Sequence, residues 1–315
     1  MSKVVVTGGA GFLGSHLCDA LIALGNEVVC IDNFLSGSKD NIAHLMDNPR
    51  FTLIIADVSL PINEKLSGLS AIFHFASPAS PNPASPVSYM AHPVETMLVN
   101  SIGSKYMLDL AVENNCQIIL ASTSEVYGDP EVHPQPETYL GNVSSIGPRS
   151  CYDESKRFME ALAFAYLRSK SAKIKVIRIF NTYGPRMMLD EGRFIPAIVD
   201  SYLHQKPFFM HGKGVATRSF CYVDDLIAGI MAVYRKGVEG EVINLGNPQE
   251  YSLVEVLDVL KEVTGRAIEV VYKEGLVDDP QRRKPDITKA KEMLDWSPTV
   301  SLPEGLRKMI ESYSR

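Results

Sequence analysis

The sequence predicts an α/β fold: a Rossmann-type doubly wound parallel sheet with a smaller C-terminal substrate-binding lobe. Three observations lead there. Short apolar runs without polar alternation recur through the first half of the chain, each is followed by a stretch of helical periodicity, and the first opens onto a glycine-rich turn. Non-alternating Val/Ile/Leu runs suit strands buried on both faces, and intervening helices supply parallel crossovers.

The predicted strands are residues 3–7, 27–32, 51–57, 71–76, 117–122 and 175–180, with helices over 12–24, 94–113 and 152–168. From Asn181 onward Gly184-Pro185, Lys206-Pro207 and Gly212 to Gly214 break the alternation. The expected division is therefore a dinucleotide-binding domain with the catalytic residues over 1–180 and a mainly substrate-binding lobe over 181–315, interleaved with the end of the first. Residues 77–93 carry prolines at 78, 81, 83, 86 and 93. Because a helix resumes at once, this stretch is expected to be a loop over the active site.

With 45% hydrophobic and 22% charged residues in 315, the chain can bury a sizeable core. A net charge of −6 gives no positive field for nucleic acid or an anionic membrane. An anionic ligand must instead be held by local arginines and backbone amides. Cys18, Cys30, Cys116, Cys151 and Cys221 show no metal-ligand spacing, so reduced thiols and no metal are expected. The opening MSKVVVTGG leads directly into a strand, with no apolar leader and no spanning segment, and the expected location is cytoplasmic.

In doubly wound sheets ligands sit outside the carboxyl ends of the strands, so the chemistry should follow each apolar run. The run Thr7-Gly8-Gly9-Ala10-Gly11-Phe12-Leu13-Gly14 follows a Val-rich strand and opens a helix. Gly8, Gly11 and Gly14 permit a tight turn and close approach of Phe12 and Leu13 backbone N–H groups to a pyrophosphate at the helix N-terminus. Asp32, with Asn33 beside it, ends the second strand 18 residues after Gly14. A carboxylate there accepts hydrogen bonds from adenosine ribose hydroxyls and repels a 2′-phosphate, which favours NAD over NADP. Asp57 and Val58 follow the third strand, either flanking the adenine or forming a turn.

Tyr152 and Lys156 are one helical turn apart and share a face. An ammonium beside a phenol stabilises the phenolate, so Lys156 is expected to lower the Tyr152 pKa and ready it to accept a proton as hydride leaves. Thr123, in Ser122-Thr123-Ser124-Glu125-Val126-Tyr127-Gly128 after the fifth strand, offers a hydroxyl to the same substrate oxygen.

Together these segments resemble the extended short-chain dehydrogenase/reductase superfamily. More narrowly, HFASPASP (74–81), GDPEVHPQPETYLGNVSSIGPRSCYDESKR (128–157), FNTYGPRM (180–187) and DDPQRRKPDI (278–287) resemble UDP-glucuronate decarboxylases over almost the whole chain. Leu140 departs from the Trp usual in that family. The resemblance implies an NAD-dependent enzyme that oxidises C4 of UDP-glucuronate, loses the C6 carboxylate as CO₂ from the β-keto acid, and returns hydride to give UDP-xylose. Thr123, Tyr152 and Lys156 are implied as catalytic, with Glu125 positioning water or the C5 proton. Ser124, Asn181, Arg193, Arg218, Tyr222 and Arg283 are implied on the UDP-sugar side, with the division of the arginines between diphosphate and carboxylate left open. Related dehydratases carry an Asp-Glu pair after the catalytic Thr, whereas this chain has Ser124-Glu125, which fits loss of CO₂ without a leaving-group acid. A 4-epimerase, a 4,6-dehydratase and a catalytically silent NAD sensor are the competing readings. A homodimer is implied through the helices over 94–113 and 152–168, with Met97, Leu98, Met107, Phe158, Met159, Phe164 and Tyr166 as candidate contacts.

Overall fold

Val4 and Val6 of the first strand pack into one hydrophobic cluster and Val5 into another, so this strand is buried on both faces, as its lack of polar alternation requires. The same split recurs in the next strands, where Val28 and Cys30 join the first core and Val29 and Ile31 the second. These cores lie either side of a seven-stranded sheet in the computed structural model, which describes residues 2–274 and 282–314.

Six of the strands are Lys3–Thr7 (β1), Glu27–Asp32 (β2), Phe51–Ile55 (β3), Leu69–His74 (β4), Gln117–Thr123 (β5) and Lys173–Ile179 (β6). The seventh is Glu241–Leu245, and the order is Glu241–Leu245, β6, β5, β4, β1, β2, β3, with every neighbouring pair parallel. The chain winds outward from β1 to β3 and then returns to β4 on the other side of β1, and this reversal opens a crevice at the strands' carboxyl ends.

The seventh strand escaped the sequence reading because it begins with Glu241 and contains Asn244. Asn244 is fully buried: its amide donates to the Gln135 and Asp286 carbonyls at 3.0 and 3.1 Å, and its side-chain oxygen accepts from the Tyr127 hydroxyl at 2.8 Å. A polar residue satisfied by distant partners leaves no local sign of a strand. β3 ends at Ile55 rather than 57, and β4 runs two residues earlier than expected, which frees Phe75 to Ser77 to line the crevice.

Helix Phe12–Ala23 (α1) covers the first core, with Leu17 and Leu21 inserted into it. On the other face, helix Ser150–Lys170 (α4) inserts Met159 and Ala163 into the second core. The helix expected over 94–113 runs as Pro93–Leu98 (α2) and Ser104–Glu113 (α3), continuous through a π-helical turn over Val99–Gly103. That turn turns Asn100 inward, where its amide donates to Ser77 Oγ at 3.1 Å and to Ser155 Oγ at 3.0 Å. The proline-rich loop is thereby tied to α4.

Of the candidate dimer contacts, Met107, Met159 and Tyr166 are buried in the second core and Phe164 is packed against it, because their helix positions face the sheet. Met97, Leu98 and Phe158 are exposed, together with Val94 and Ile102. Leu140 is 85% exposed and does not line the crevice, so its departure from the family pattern leaves the site untouched.

Beyond β6 the chain builds short sheets around the mouth of the crevice. Thr217–Ser219 pairs antiparallel with Glu250–Ser252 and parallel with Arg282–Arg283, and Phe208–His211 pairs with Val270–Lys273. Asp225 anchors the C-terminal segment by accepting from the Thr299 and Val300 backbone N–H groups at 2.9 and 2.8 Å. Among the described residues no helix is long and apolar enough to cross a membrane. Residues 278–281 of the DDPQRRKPDI motif lie outside the described residues.

Candidate active site

At the carboxyl ends of β1, β4 and β5 the crevice deepens into a cleft of about 970 Å³. One end is made of backbone. Gly8 has a φ of +70°, and a Cβ there would come within 2.8 Å of the Ala76 backbone. A Cβ on Gly14 would lie 2.0 Å from the Gly8 carbonyl oxygen, so the loop can seat on α1 only if that residue has no side chain. No side chain caps α1 at Gly11, and Gly8, Gly11, Phe12, Leu13 and Gly14 all line the cleft. The result is a helix N-terminus open to an anion.

Asp32 lies at the same end, nearly buried. Its carboxylate accepts the Ala10 N–H at 2.9 Å and the Phe34 N–H at 2.8 Å. Burial pushes its pKa up while those two bonds oppose the shift. Asn33 donates to Asp57 at 3.4 Å, and Asp57 accepts from both the N–H and hydroxyl of Ser59 at 2.8 and 2.6 Å. Asp57 thus holds a turn while also lining the cleft, as Asn33 and Val58 do. A narrow glycine-lined anion site beside a carboxylate fits a dinucleotide whose ribose hydroxyls meet Asp32.

At the centre, β5 ends on Thr123 and α4 carries Tyr152 and Lys156 back over it. The Thr123 hydroxyl hydrogen-bonds the Tyr152 phenol and accepts the Glu125 N–H at 3.2 Å. Tyr152 stacks on Tyr89 with ring centroids 4.7 Å apart and an interplanar angle of 5°. Lys156 donates to the Ala121 carbonyl at 2.8 Å, and its ammonium is 5.7 Å from the Tyr152 ring centroid.

Burial raises the Tyr152 pKa, the charge on Glu125 raises it further, and Thr123 and Arg193 only partly oppose this. Burial also brings Lys156 down to about 7, which weakens its hold on a proton. Within the protein alone, the phenol's acidity comes from its Thr123 hydrogen bond and the Arg193 charge.

The other end of the cleft is made of side chains. Ser124 and Asn181 line it, as do Arg193, Arg218 and Arg283. Arg193 pairs with Glu191 at 2.6 Å, and Arg218 donates to the Thr217 carbonyl at 2.9 Å. Glu125 is buried in the cleft wall: Arg149 approaches at 2.7 Å, Arg283 at 3.6 Å, and the Tyr89 hydroxyl donates at 3.3 Å. Burial would raise its pKa, but Arg149 and then Arg283 overcome that and bring it down to about 2.

Tyr222 does not line the cleft. The strand Cys221–Tyr222 pairs with Thr182–Tyr183, and its ring packs edge-on against Tyr183 at 5.6 Å in the core, beneath Gly305. Sequence reasoning assigned no role to Arg149, Tyr89 or Asp153, which surround Glu125. Arg149 and Asp153 fall within the quoted GDPEVHP…DESKR run and flank Tyr152, and that proximity was the available signal. The proline-rich loop lines the cleft from Ser77 to Ala84, and the Ser80 hydroxyl fastens it to the Glu191 carbonyl at 2.7 Å.

Comparison with known proteins agrees with this geometry. The model of the NAD dependent epimerase/dehydratase family matches residues 4–246. UDP-glucuronic acid decarboxylase 1 of Arabidopsis thaliana is 49% identical over 311 residues, spanning 99% of this chain and 69% of that protein. UDP-glucuronic acid decarboxylase 1 of Xenopus tropicalis is 45% identical, spanning 99% and 72%. Among solved structures, UDP-glucuronic acid 4-epimerase from Bacillus cereus in complex with UDP-glucuronic acid and NAD superposes with a TM-score of 0.87 at 30% identity, covering 99% of both chains. A dTDP-glucose 4,6-dehydratase from Streptomyces venezuelae with NAD bound gives 0.88 at 27%, covering 99% and 97%. The chain belongs to the NAD dependent epimerase/dehydratase family and, within it, to the group that holds the UDP-glucuronic acid decarboxylases.

Proposed function

We propose that the protein is an NAD-dependent carboxy-lyase that converts UDP-glucuronate to UDP-xylose. The observation that carries this reading is the sequence of groups at the end of β5: Thr123, hydrogen-bonded to Tyr152, is followed by Ser124, which carries no acid, and by Glu125, which two arginines hold as a carboxylate. A 4,6-dehydration needs an acid to protonate a departing hydroxyl, whereas loss of CO₂ needs only a place for the electrons it leaves behind. Tyr152 and Thr123 supply that place, because hydrogen bonds to the C4 oxygen stabilise the enolate as it forms.

NAD, when bound, would supply the hydride acceptor for C4 and the donor for its return, with no net redox change. The chain's own groups do the rest. Gly8, Gly11, Phe12, Leu13 and Gly14 hold the pyrophosphate, and Asp32 holds the adenosine ribose, with Asn33, Asp57 and Val58 around the adenine. Tyr152 takes the C4 hydroxyl proton, with Thr123 beside it, and Lys156 orients the adjacent ribose. Arg193, Arg218 and Arg283 face the UDP-sugar, whose diphosphate and carboxylate suit the guanidinium fork, and Ser124 and Asn181 line the sugar pocket.

The exposed Val94, Met97, Leu98, Ile102 and Phe158 on neighbouring helices form the surface through which two copies pair. The reading places the protein in the cytoplasm. The test is incubation with UDP-glucuronate and NAD, followed by identification of the nucleotide sugar by NMR. A UDP-pentose supports the proposal; a C4-epimerised hexuronate or unchanged substrate overturns it.

A further inference from the structure

Glu125 and Asp153 are hydrogen-bonded to each other through their carboxyl groups. Two carboxyl groups buried this close disfavour a second negative charge, and burial with the Glu125 charge raises the Asp153 pKa, so the proton belongs to Asp153. Asp153 is buried one residue beyond Tyr152, behind Glu125 as seen from the cleft: Glu125, Arg149 and Arg283 line the cleft and Asp153 does not. Its Oδ1 has no hydrogen-bond partner in the described structure. The charged and titratable groups facing the pair are Arg149, preceding α4, Arg283, on the strand Arg282–Arg283, and Tyr89, in the proline-rich loop.

The stoichiometry of the proposed reaction gives that proton a purpose. A carboxylate that leaves as CO₂ is replaced by a C–H bond, so each turnover consumes one proton. We propose that Asp153 holds this proton and passes it through Glu125 to the carbon from which CO₂ departs, an inference that rests on the decarboxylase reading above. The C5–C6 bond breaks and its electron pair enters the C4–C5 enolate. Asp153 gives its proton to the Glu125 carboxylate, Glu125 delivers it to C5 as that electron pair forms the C5–H bond and is left a carboxylate again, and water later reprotonates Asp153.

Charge supports the sequence of events. Two guanidiniums against one carboxylate and one neutral acid leave a single positive charge facing the cleft, a match for the substrate carboxylate. When CO₂ leaves, that positive charge loses its partner, and transfer of the proton to carbon restores neutrality by leaving two carboxylates against two guanidiniums. Burial first, then the charge on Glu125 and its hydrogen bond, raise the Asp153 pKa to about 9, which keeps the proton in place at neutral pH. Asp153 is therefore a positioning residue that acts through Glu125.

Two measurements test this. Infrared spectra of the resting wild-type protein should contain the carbonyl stretch of a buried protonated carboxylic acid near neutral pH, and Asp153→Asn should lack it. Absence of the band from wild type overturns the shared proton without any reference to substrate. In turnover with UDP-glucuronate and NAD, Asp153→Asn should slow UDP-xylose formation by roughly 100-fold and accumulate NADH, because oxidation precedes the blocked step. Asp153→Glu, which still carries a proton, should retain more activity than the closer isostere Asn, with an alkaline fall in rate that Asn lacks. If Asn outperforms Glu, or matches wild type across the pH range, the relay is wrong. Failure of wild type to release CO₂ would instead remove the decarboxylase reading while leaving the infrared result standing.

Discussion

The two ends of the cleft are built on different plans. The dinucleotide end is backbone: a glycine turn against a helix N-terminus, with a strand-end carboxylate taking the N–H groups of Ala10 in that turn and of Phe34. The sugar end is side chains drawn from residues 125, 149, 191, 193, 218 and 283, with Glu125 paired to Arg149 and Arg283 and Arg193 paired to Glu191. Backbone geometry is fixed by the fold and suits a cofactor common to many reactions. A balanced cluster of charges depends on each member, and it is there that one reaction is selected over another. A 4-epimerase and a 4,6-dehydratase superpose equally well on this chain, so the backbone alone does not choose among these reactions.

If that contrast holds, substitutions at the centre and sugar end should affect turnover or integrity most, and those at the cofactor end should affect affinity. The largest effect is expected for Tyr152→Phe. The stack on Tyr89 survives, NAD affinity measured by calorimetry stays near wild type, and turnover falls by roughly 10²–10⁴-fold with loss of the proton acceptor. Next is Arg149→Ala, which leaves the Glu125 carboxylate buried without its nearest cation. Thermal or denaturant unfolding should show a loss of about 3–5 kcal/mol, whereas an unchanged midpoint would mean that Arg283 alone suffices.

A smaller, pH-dependent effect is expected at Lys156, whose folded pKa of about 7 lies below the ordinary lysine value of 10.5. Between these values the unfolded chain binds more protons than the folded one, so stability rises with pH across that window. Lys156→Met removes the penalty for burying the cation. The variant should gain up to a few kcal/mol over wild type below pH 7, and the gain should shrink as pH rises toward 10. Denaturant titrations at several pH values would read it, and a pH-independent difference would contradict the burial of a charged lysine.

Smallest is Asp32→Ala, expected to weaken NAD by about tenfold, on the order of one charge-assisted hydrogen bond, and to relax discrimination against NADP. Titration of both cofactors measures it, and unchanged affinities would detach Asp32 from the ribose.

The same contrast governs what could be read from sequence. Gly8, Gly14 and Asp32 were recognisable because their roles follow from spacing within one βαβ unit, and Tyr152 with Lys156 from one helical turn. The partners of Glu125 were not, because Tyr89, Arg149 and Arg283 meet only after the proline-rich loop, α4 and the strand Arg282–Arg283 have packed together. Tyr222 shows the converse error. A two-residue strand decides which way its side chain points, and nothing local in the sequence reveals that it turns into the core. The state of Tyr152 and Lys156 was hidden for a related reason, since helical spacing gives proximity but not the depth of burial that dominates both groups.

The central claim is that charge at the sugar end selects decarboxylation, and Ser124 tests it most directly. Ser124→Asp would add a carboxylate next to Glu125 and close to the substrate's own. The measurement is CO₂ released per UDP-glucuronate consumed, with product identity, for wild type and Ser124→Asp side by side under saturating NAD. The account predicts stoichiometric CO₂ and a UDP-pentose from wild type, and a decarboxylation rate lower by about tenfold or more in the variant, with NAD affinity unchanged. Full decarboxylation by Ser124→Asp, or 4,6-dehydration of UDP-glucose by wild type, would contradict it.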